Sequence, residues 1–253
     1  MPPMDFDAKL NESTPGVFLT TRWSLVARAA DEDDSTAAQA LADLCRDYWR
    51  PLYHFARRKG QTPQDAQDLT QGFIAKLLES GSFSRADREL GRFRTFLISS
   101  FVKYMSNQHR DQTAQKRGGA MSPVSLNDAS VELEYATHDT MTPERLYERS
   151  WALALLERVM QRLREEYVKA GRLRLWEAIE PHLAGGGGRP GYARMAAELG
   201  MSESALTVSV HRMRKRYGTL LREEIASTVA DAAEVDDELR HLMTVVSGSA
   251  DAV

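Results

Sequence analysis

Apolar positions along this chain recur at spacings of three and four. Ala66, Leu69, Phe73, Ile74, Leu77 and Leu78 make one stripe; Ala152, Leu155, Leu156, Val159, Met160, Leu163 and Tyr167 make a second; Leu206, Val210, Met213 and Tyr217 make a third. That period puts each set on one face of a helix. No run alternates between apolar and polar residues for long enough to argue for a sheet. The pattern predicts an all-α fold. Start signals agree with it: Thr62-Pro63-Gln64-Asp65 and Thr142-Pro143-Glu144 each supply a hydroxyl N-cap, a proline at the first helical position and an early carboxylate, and Ser202-Glu203 opens a further helix.

The breaks divide the chain. Between Gly118-Gly119 and Thr142 lie Ser122-Pro123, several acids and no sustained periodicity, which reads as a flexible linker. Gly185 to Gly188 with Arg189-Pro190-Gly191 reads as a second, shorter loop inside a second domain. At 253 residues, with 42% hydrophobic and 27% charged residues, the chain has the composition of a globular protein of one or two domains. A single cysteine, Cys45, rules out a disulfide framework and fits a reducing compartment. No secretory signal or spanning segment is visible, so the expected location is the cytoplasm.

The net charge of −3 hides a strong partition. Residues 88–117 hold seven basic residues against two acidic ones, a net of about +5, and residues 118–148 hold one against six, about −5. Residues 189–223 hold seven against three, about +4, and residues 224–253 hold one against seven, about −6. Two basic blocks are each followed by an acidic one.

The window from Tyr192 to Arg216 is the most informative. A short apolar helix ends at Gly200, Ser202 caps the next, and the turn between them is short, which is the pattern of a helix-turn-helix. With Leu206, Val210 and Met213 facing a core, the other face presents Ser204, Thr207, Val208, His211, Arg212 and Lys215. Residues early in that helix are placed to reach base edges, while Arg214, Lys215 and Arg216 meet phosphates. The alternative is an ordinary α-hairpin with a solvated basic face.

In the other basic window Phe93, Phe96, Phe101 and Tyr104 are interleaved with Arg92, Arg94, Lys103, Asn107 and Arg110, and Lys116 and Arg117 follow. Cations track a phosphate backbone and exposed aromatics stack on unpaired bases, so the pattern suits single-stranded or melting DNA. The competing reading places most of these aromatics in a helical core.

Taken in chain order, these windows resemble a group IV sigma factor, the extracytoplasmic-function type of the sigma-70 family, which guides bacterial RNA polymerase to promoters. Leu41 to Ala56 looks like that family's first conserved helix, and Asp65 to Ile74 looks like the helix that docks on the clamp of the polymerase's largest subunit. The segment from Phe93-Arg-Thr-Phe-Leu97 onward resembles the part that melts and reads the −10 element, and the helix-turn-helix resembles the −35 reader. The resemblance covers residues 36–117 and 144–225. It implies an N-terminal extension over 1–35, a sigma-2-like domain over 36–117, a linker over 118–143, a sigma-4-like domain over 144–225 and an acidic helical extension over 226–253. It implies as partners the polymerase clamp and flap and promoter DNA. Polymerase contact falls to Asp65, Asp68, Leu69, Gln71 and Phe73. Contact with the −10 strand falls to Arg92, Phe93, Arg94, Phe96, Lys103, Asn107, Arg110, Lys116 and Arg117. The −35 element falls to Ser202, Ser204, Thr207, Val208, His211, Arg212, Arg214, Lys215 and Arg216.

The family's docking helix carries Asp-Ala-Glu-Asp and then Gln-Glu, where this chain has Asp65-Ala66-Gln67-Asp68 and Gln71-Gly72. Two carboxylates are missing from a surface that meets a basic partner, which predicts weakened polymerase binding. A phosphate on Thr62 would add about −1.5 to −2 charges at the favourable end of that helix, which makes a Ser/Thr kinase a candidate partner, with Thr70 as the second acceptor. The alternative role of Thr62 is an N-cap alone. At the ends, Thr21 to Ala30 reads as a short helix with Trp23 as an anchor. Val235, Leu239, Leu242, Met243 and Val246 form an apolar stripe on a C-terminal helix that either packs on its neighbour or folds its acids over the DNA-reading face.

Six histidines are scattered without metal-ligand spacing, Gly185 to Gly188 is not followed by Lys-Ser/Thr, and no nucleophile elbow or kinase signature is present. The expectation is a protein that is not an enzyme and carries no metal or cofactor. Besides a sigma factor, two readings stay open: a helix-turn-helix regulator that acts without polymerase, and a partner-binding helical protein with solvated basic faces.

Overall fold

A computed structural model describes residues 35–79, 92–115, 141–183, 191–229 and 231–248. Among them there are eight α-helices and no strand, as the periodicity predicts: α1 (Ser35–Arg58), α2 (Pro63–Glu79), α3 (Phe93–Gln115), α4 (Pro143–Lys169), α5 (Leu173–Ile179), α6 (Tyr192–Glu198), α7 (Glu203–Ala226) and α8 (Val235–Ser247). The N-terminal segment with Trp23, most of the expected linker, the Gly185 to Gly188 loop, Lys116 and Arg117 lie outside the described residues.

The predicted starts are where the hydroxyls put them. Thr62 Oγ1 accepts from the Asp65 amide at 3.1 Å, Thr142 caps α4 through the Arg145 amide at 3.3 Å, and Ser202 caps α7 through the Ala205 amide at 3.2 Å. Each satisfies an amide that has no partner within its helix. α6 stops at Gly200, whose φ of +67° lets the Met201 amide return to the Ala196 carbonyl at 2.9 Å. Pro51 sits inside α1, so the Asp47 carbonyl loses its usual helical donor there.

The longest packing seam runs between α1 and α4. Tyr48, Leu52, Phe55 and Ala56 on one side meet Tyr147, Trp151, Ala152 and Leu155 on the other within one buried cluster. A buried hydrogen bond of 2.6 Å joins His54 Nδ1 to Ser150 Oγ across the seam. Arg158 of α4 pairs with both Asp47 of α1 and Glu224 of α7, knitting three helices at one point. The same cluster continues through Leu163, Trp176, Leu206, Val210 and Met213 into α7 and through Leu242 into α8. α4, expected to open a second domain, therefore packs along the first helix of the other half, and the described residues of both halves share a core.

Candidate nucleic-acid interface

The face of α7 follows from its two-sided sequence. Leu206, Val210 and Met213 are buried, and α6 packs beside them through Tyr192 and Ala196. The opposite side carries exposed Ser204, Val208, His211, Arg212 and Lys215, and Val208 is 47% exposed although it is apolar. Thr207 is half-buried and donates its hydroxyl to the Glu203 carbonyl at 2.9 Å, while Ser202 serves as the cap. Two residues assigned to phosphates are otherwise engaged. Arg216 forms a bidentate pair with Glu166 of α4 at 2.9 and 2.6 Å, which raises its already high pKa. Arg214, though exposed, donates to the His182 carbonyl at 2.6 Å. The positions assigned to base edges are thus presented together, while the basic cluster behind them is partly spent on fixing α7 to α4 and to the Glu180–His182 turn.

On α3 the residues assigned to a melted strand separate into two groups. Lys103, Asn107 and Arg110, spaced four and three apart, are all exposed on one side of the helix. Phe93 is buried at 1% exposure, edge-on to Tyr48 at 5.3 Å, and stacks on half-buried Phe96 at 6.2 Å. Phe101 is fully buried among Phe55 and Phe73. In this arrangement Phe93 and Phe101 are core residues, because the α1–α4 seam supplies aromatic neighbours that a single helix does not reveal.

Arg94 is the larger correction. It is 4% exposed and lies over the Trp151 ring at 4.5 Å. Its Nε donates to Glu148 at 3.0 and 3.2 Å and its Nη1 to Glu238 of α8. Tyr147 of α4 donates its hydroxyl to the Arg94 carbonyl at 2.9 Å. Burial lowers the Arg94 pKa, and Glu148 opposes that shift. Glu238 is fully buried, and its second oxygen meets Arg92 Nε at 3.1 Å as an ion pair too poorly directed for a hydrogen bond. Two arginines expected on DNA therefore hold a buried carboxylate of the C-terminal extension.

The helix assigned to polymerase docking also divides. Asp65, Asp68 and Leu69 of α2 line a groove of about 200 Å³ with Tyr104 and Met105 of α3, and Gln71 is half-buried. Phe73 is buried against Phe101 at 5.0 Å and Tyr104 at 5.7 Å, so it belongs to the core and not to a docking face. Both departures from the family pattern have a local reason. Gln67 is 6% exposed, where a carboxylate would be desolvated. A Cβ at Gly72 would fall 2.5 Å from the Tyr104 hydroxyl. Thr62 is exposed and donates to the Asp65 carboxylate at 2.7 Å while capping α2. Thr70 is fully buried and bonded to the Ala66 carbonyl, so it is closed to a kinase in this arrangement.

From the sequence, Glu148 and Glu238 count only as members of acidic blocks, and Tyr147, Trp151 and the buried pairing of both carboxylates with Arg94 escape notice. Glu238 alone had a visible signal: it falls between Val235 and Leu242 on the apolar stripe of α8, and a carboxylate on such a stripe implies a buried cation. Among the described residues no group of His, Cys, Asp and Glu is placed to hold a metal ion, and no helix is long and apolar enough to cross a membrane. Set beside known proteins, the chain matches no family model, no curated protein and no solved structure.

Proposed function

We propose that this protein is an alternative sigma factor of the extracytoplasmic-function type, which binds bacterial core RNA polymerase and directs promoter-specific initiation in the cytoplasm. The observation that carries the reading is the outward face of α7. A capped helix after a short turn presents Ser204, Val208, His211, Arg212 and Lys215 while its other side is locked into the core. Lys103, Asn107 and Arg110 supply a second exposed, cation-bearing face on α3 for the −10 strand. Asp65, Asp68 and Leu69 form the docking groove for the clamp. In this reading the division into a sigma-2-like and a sigma-4-like part is functional, the two parts meeting along the α1–α4 seam. A kinase acting on exposed Thr62 would add charge at the start of α2, although the phosphate would have to displace the hydrogen bond to Asp65.

A second reading, a helix-turn-helix regulator without polymerase, draws support from the burial of Phe93, Phe101 and Phe73, which takes those rings away from a melted strand and a docking face. Co-elution with core RNA polymerase at physiological salt, comparing wild type with Thr62→Ala and Thr62→Glu, separates the two. Binding by all three supports a sigma factor whose missing carboxylates are unimportant. Binding by Thr62→Glu alone supports one gated by phosphorylation. Duplex DNA binding without polymerase binding by any of them overturns the proposal in favour of the regulator.

A further inference from the structure

The C-terminal extension carries its acids in three different ways. Asp236 is exposed and pairs with Arg222 of α7 at 2.6 Å, and Asp237 is exposed and pairs with Arg240 of its own helix. Among the described acids of the extension only Glu238 points inward, to 0% exposure, and it faces Arg92 and Arg94. Those two arginines flank Phe93 at the first turn of α3, the start of the most basic window in the chain. α8 is held in place by three further contacts. Leu242 is fully buried, His241 Nε2 meets Glu148 at 2.8 Å, and Arg149 of α4 donates to the Val245 and Val246 carbonyls at 3.4 and 2.9 Å, covering the negative end of the α8 dipole. A carboxylate buried this deeply is stable only while its cations stay with it. A phosphate backbone would compete for the same two guanidinium groups.

We infer that α8 is an autoinhibitory clasp: docked, its Glu238 occupies Arg92 and Arg94 and keeps the head of α3 from nucleic acid, and undocked it releases Arg92 and the Nη1 side of Arg94, whose Nε stays with Glu148 of α4. The clasp acts on the α3 window; on α7 its Asp236 pairs with Arg222, near the C-terminal end of that helix and away from the exposed positions at its start. The inference rests on the nucleic-acid-binding reading proposed above. Its ligand is a polyanionic strand, and the competing occupant is the protein's own carboxylate.

The test uses the full chain and an oligonucleotide duplex with a single-stranded bubble, followed by fluorescence anisotropy across a salt series. Glu238→Gln keeps the shape of the side chain and removes its charge. It is expected to tighten binding about tenfold, the equivalent of one recovered charge-assisted contact, and to steepen the salt dependence as one or two more phosphates are neutralised. The gain must vanish in Glu238→Gln combined with Arg92→Ala and Arg94→Ala. Arg149→Ala, which only unties the last turn of α8, is expected to give a smaller gain together with faster amide exchange in α8, and it keeps the test decisive if Glu238→Gln does not fold. Wild-type binding that neither variant tightens overturns the clasp alone. Absence of DNA binding by wild type and by every variant at low salt overturns the nucleic-acid reading, and the clasp with it.

Discussion

Whether Phe93 is a core residue or a base-stacking one can be decided by a single truncation. The ring is 1% exposed, edge-on to Tyr48 at 5.3 Å and stacked on Phe96 at 6.2 Å. An aromatic side chain buries about 150–250 Å², which at about 25 cal/mol per Å² is roughly 4–6 kcal/mol of transfer free energy. Alanine retains the Cβ and the cavity relaxes in part, so Phe93→Ala should cost about 3–5 kcal/mol. That is a large share of the roughly 5–15 kcal/mol by which a folded domain is stable. At about 2–4 °C per kcal/mol for a chain of this size, the melting temperature should fall by roughly 6–20 °C. Lys103→Ala, on the exposed side of the same helix, should change stability by no more than about 0.5 kcal/mol while weakening DNA binding. Thermal melting followed by far-ultraviolet circular dichroism, with anisotropy on bubble DNA, reads both quantities. A Phe93→Ala protein that melts with wild type yet loses bubble binding would refute the core assignment and return the ring to the melted strand.

Three other outcomes follow from local geometry. Gly72→Ala gains helix propensity of up to about 1 kcal/mol but meets the Tyr104 hydroxyl. It should therefore be more favourable in a Tyr104→Phe background, where the nearest ring carbon is 3.6 Å away, and a double-mutant cycle in urea showing no coupling would contradict the close approach. Thr62→Ala should lose about 0.5–2 kcal/mol and Thr62→Asn little, because an amide side chain can still cap α2 with its oxygen and donate to Asp65 with its nitrogen; equal stability of all three would remove the cap from the account. Burial pushes the Glu148 carboxyl up, but hydrogen bonds and charge from His241 and Arg94 outweigh it and hold the group below its ordinary range. A depressed folded pKa means that its contribution is complete above the usual glutamate value of about 4.3 and is lost as pH falls through the lower folded value. Glu148→Gln should flatten the loss of stability as pH falls below the usual glutamate value, and an unchanged acid slope would show that the carboxylate is not selectively stabilised.

Much of the architecture was written in local pattern. The α-helical class, the hydroxyl caps at Thr62, Thr142 and Ser202, the glycine stop at Gly200 and the buried face of Leu206, Val210 and Met213 are all properties of residues within a few positions of one another, and short-range sterics and hydrogen bonding fix them wherever the helices go. The same locality made the outward face of α7 legible, since burying one side of a helix exposes the other. Which arginine remains available to a ligand was a different kind of question. Arg92, Arg94, Arg214 and Arg216 look like surface cations in any window of the chain. Their partners Glu238, His182 and Glu166 come from segments that only packing brings near. Phe93 and Phe73 were ambiguous for the same reason, because an aromatic on a helix becomes core or surface according to what lies across from it, here Tyr48 on α1 and Phe101 on α3. Helix formation is short-ranged and was decided by the sequence itself; charge pairing and aromatic burial depend on through-space distance, which the α1–α4 seam and the docking of α8 set.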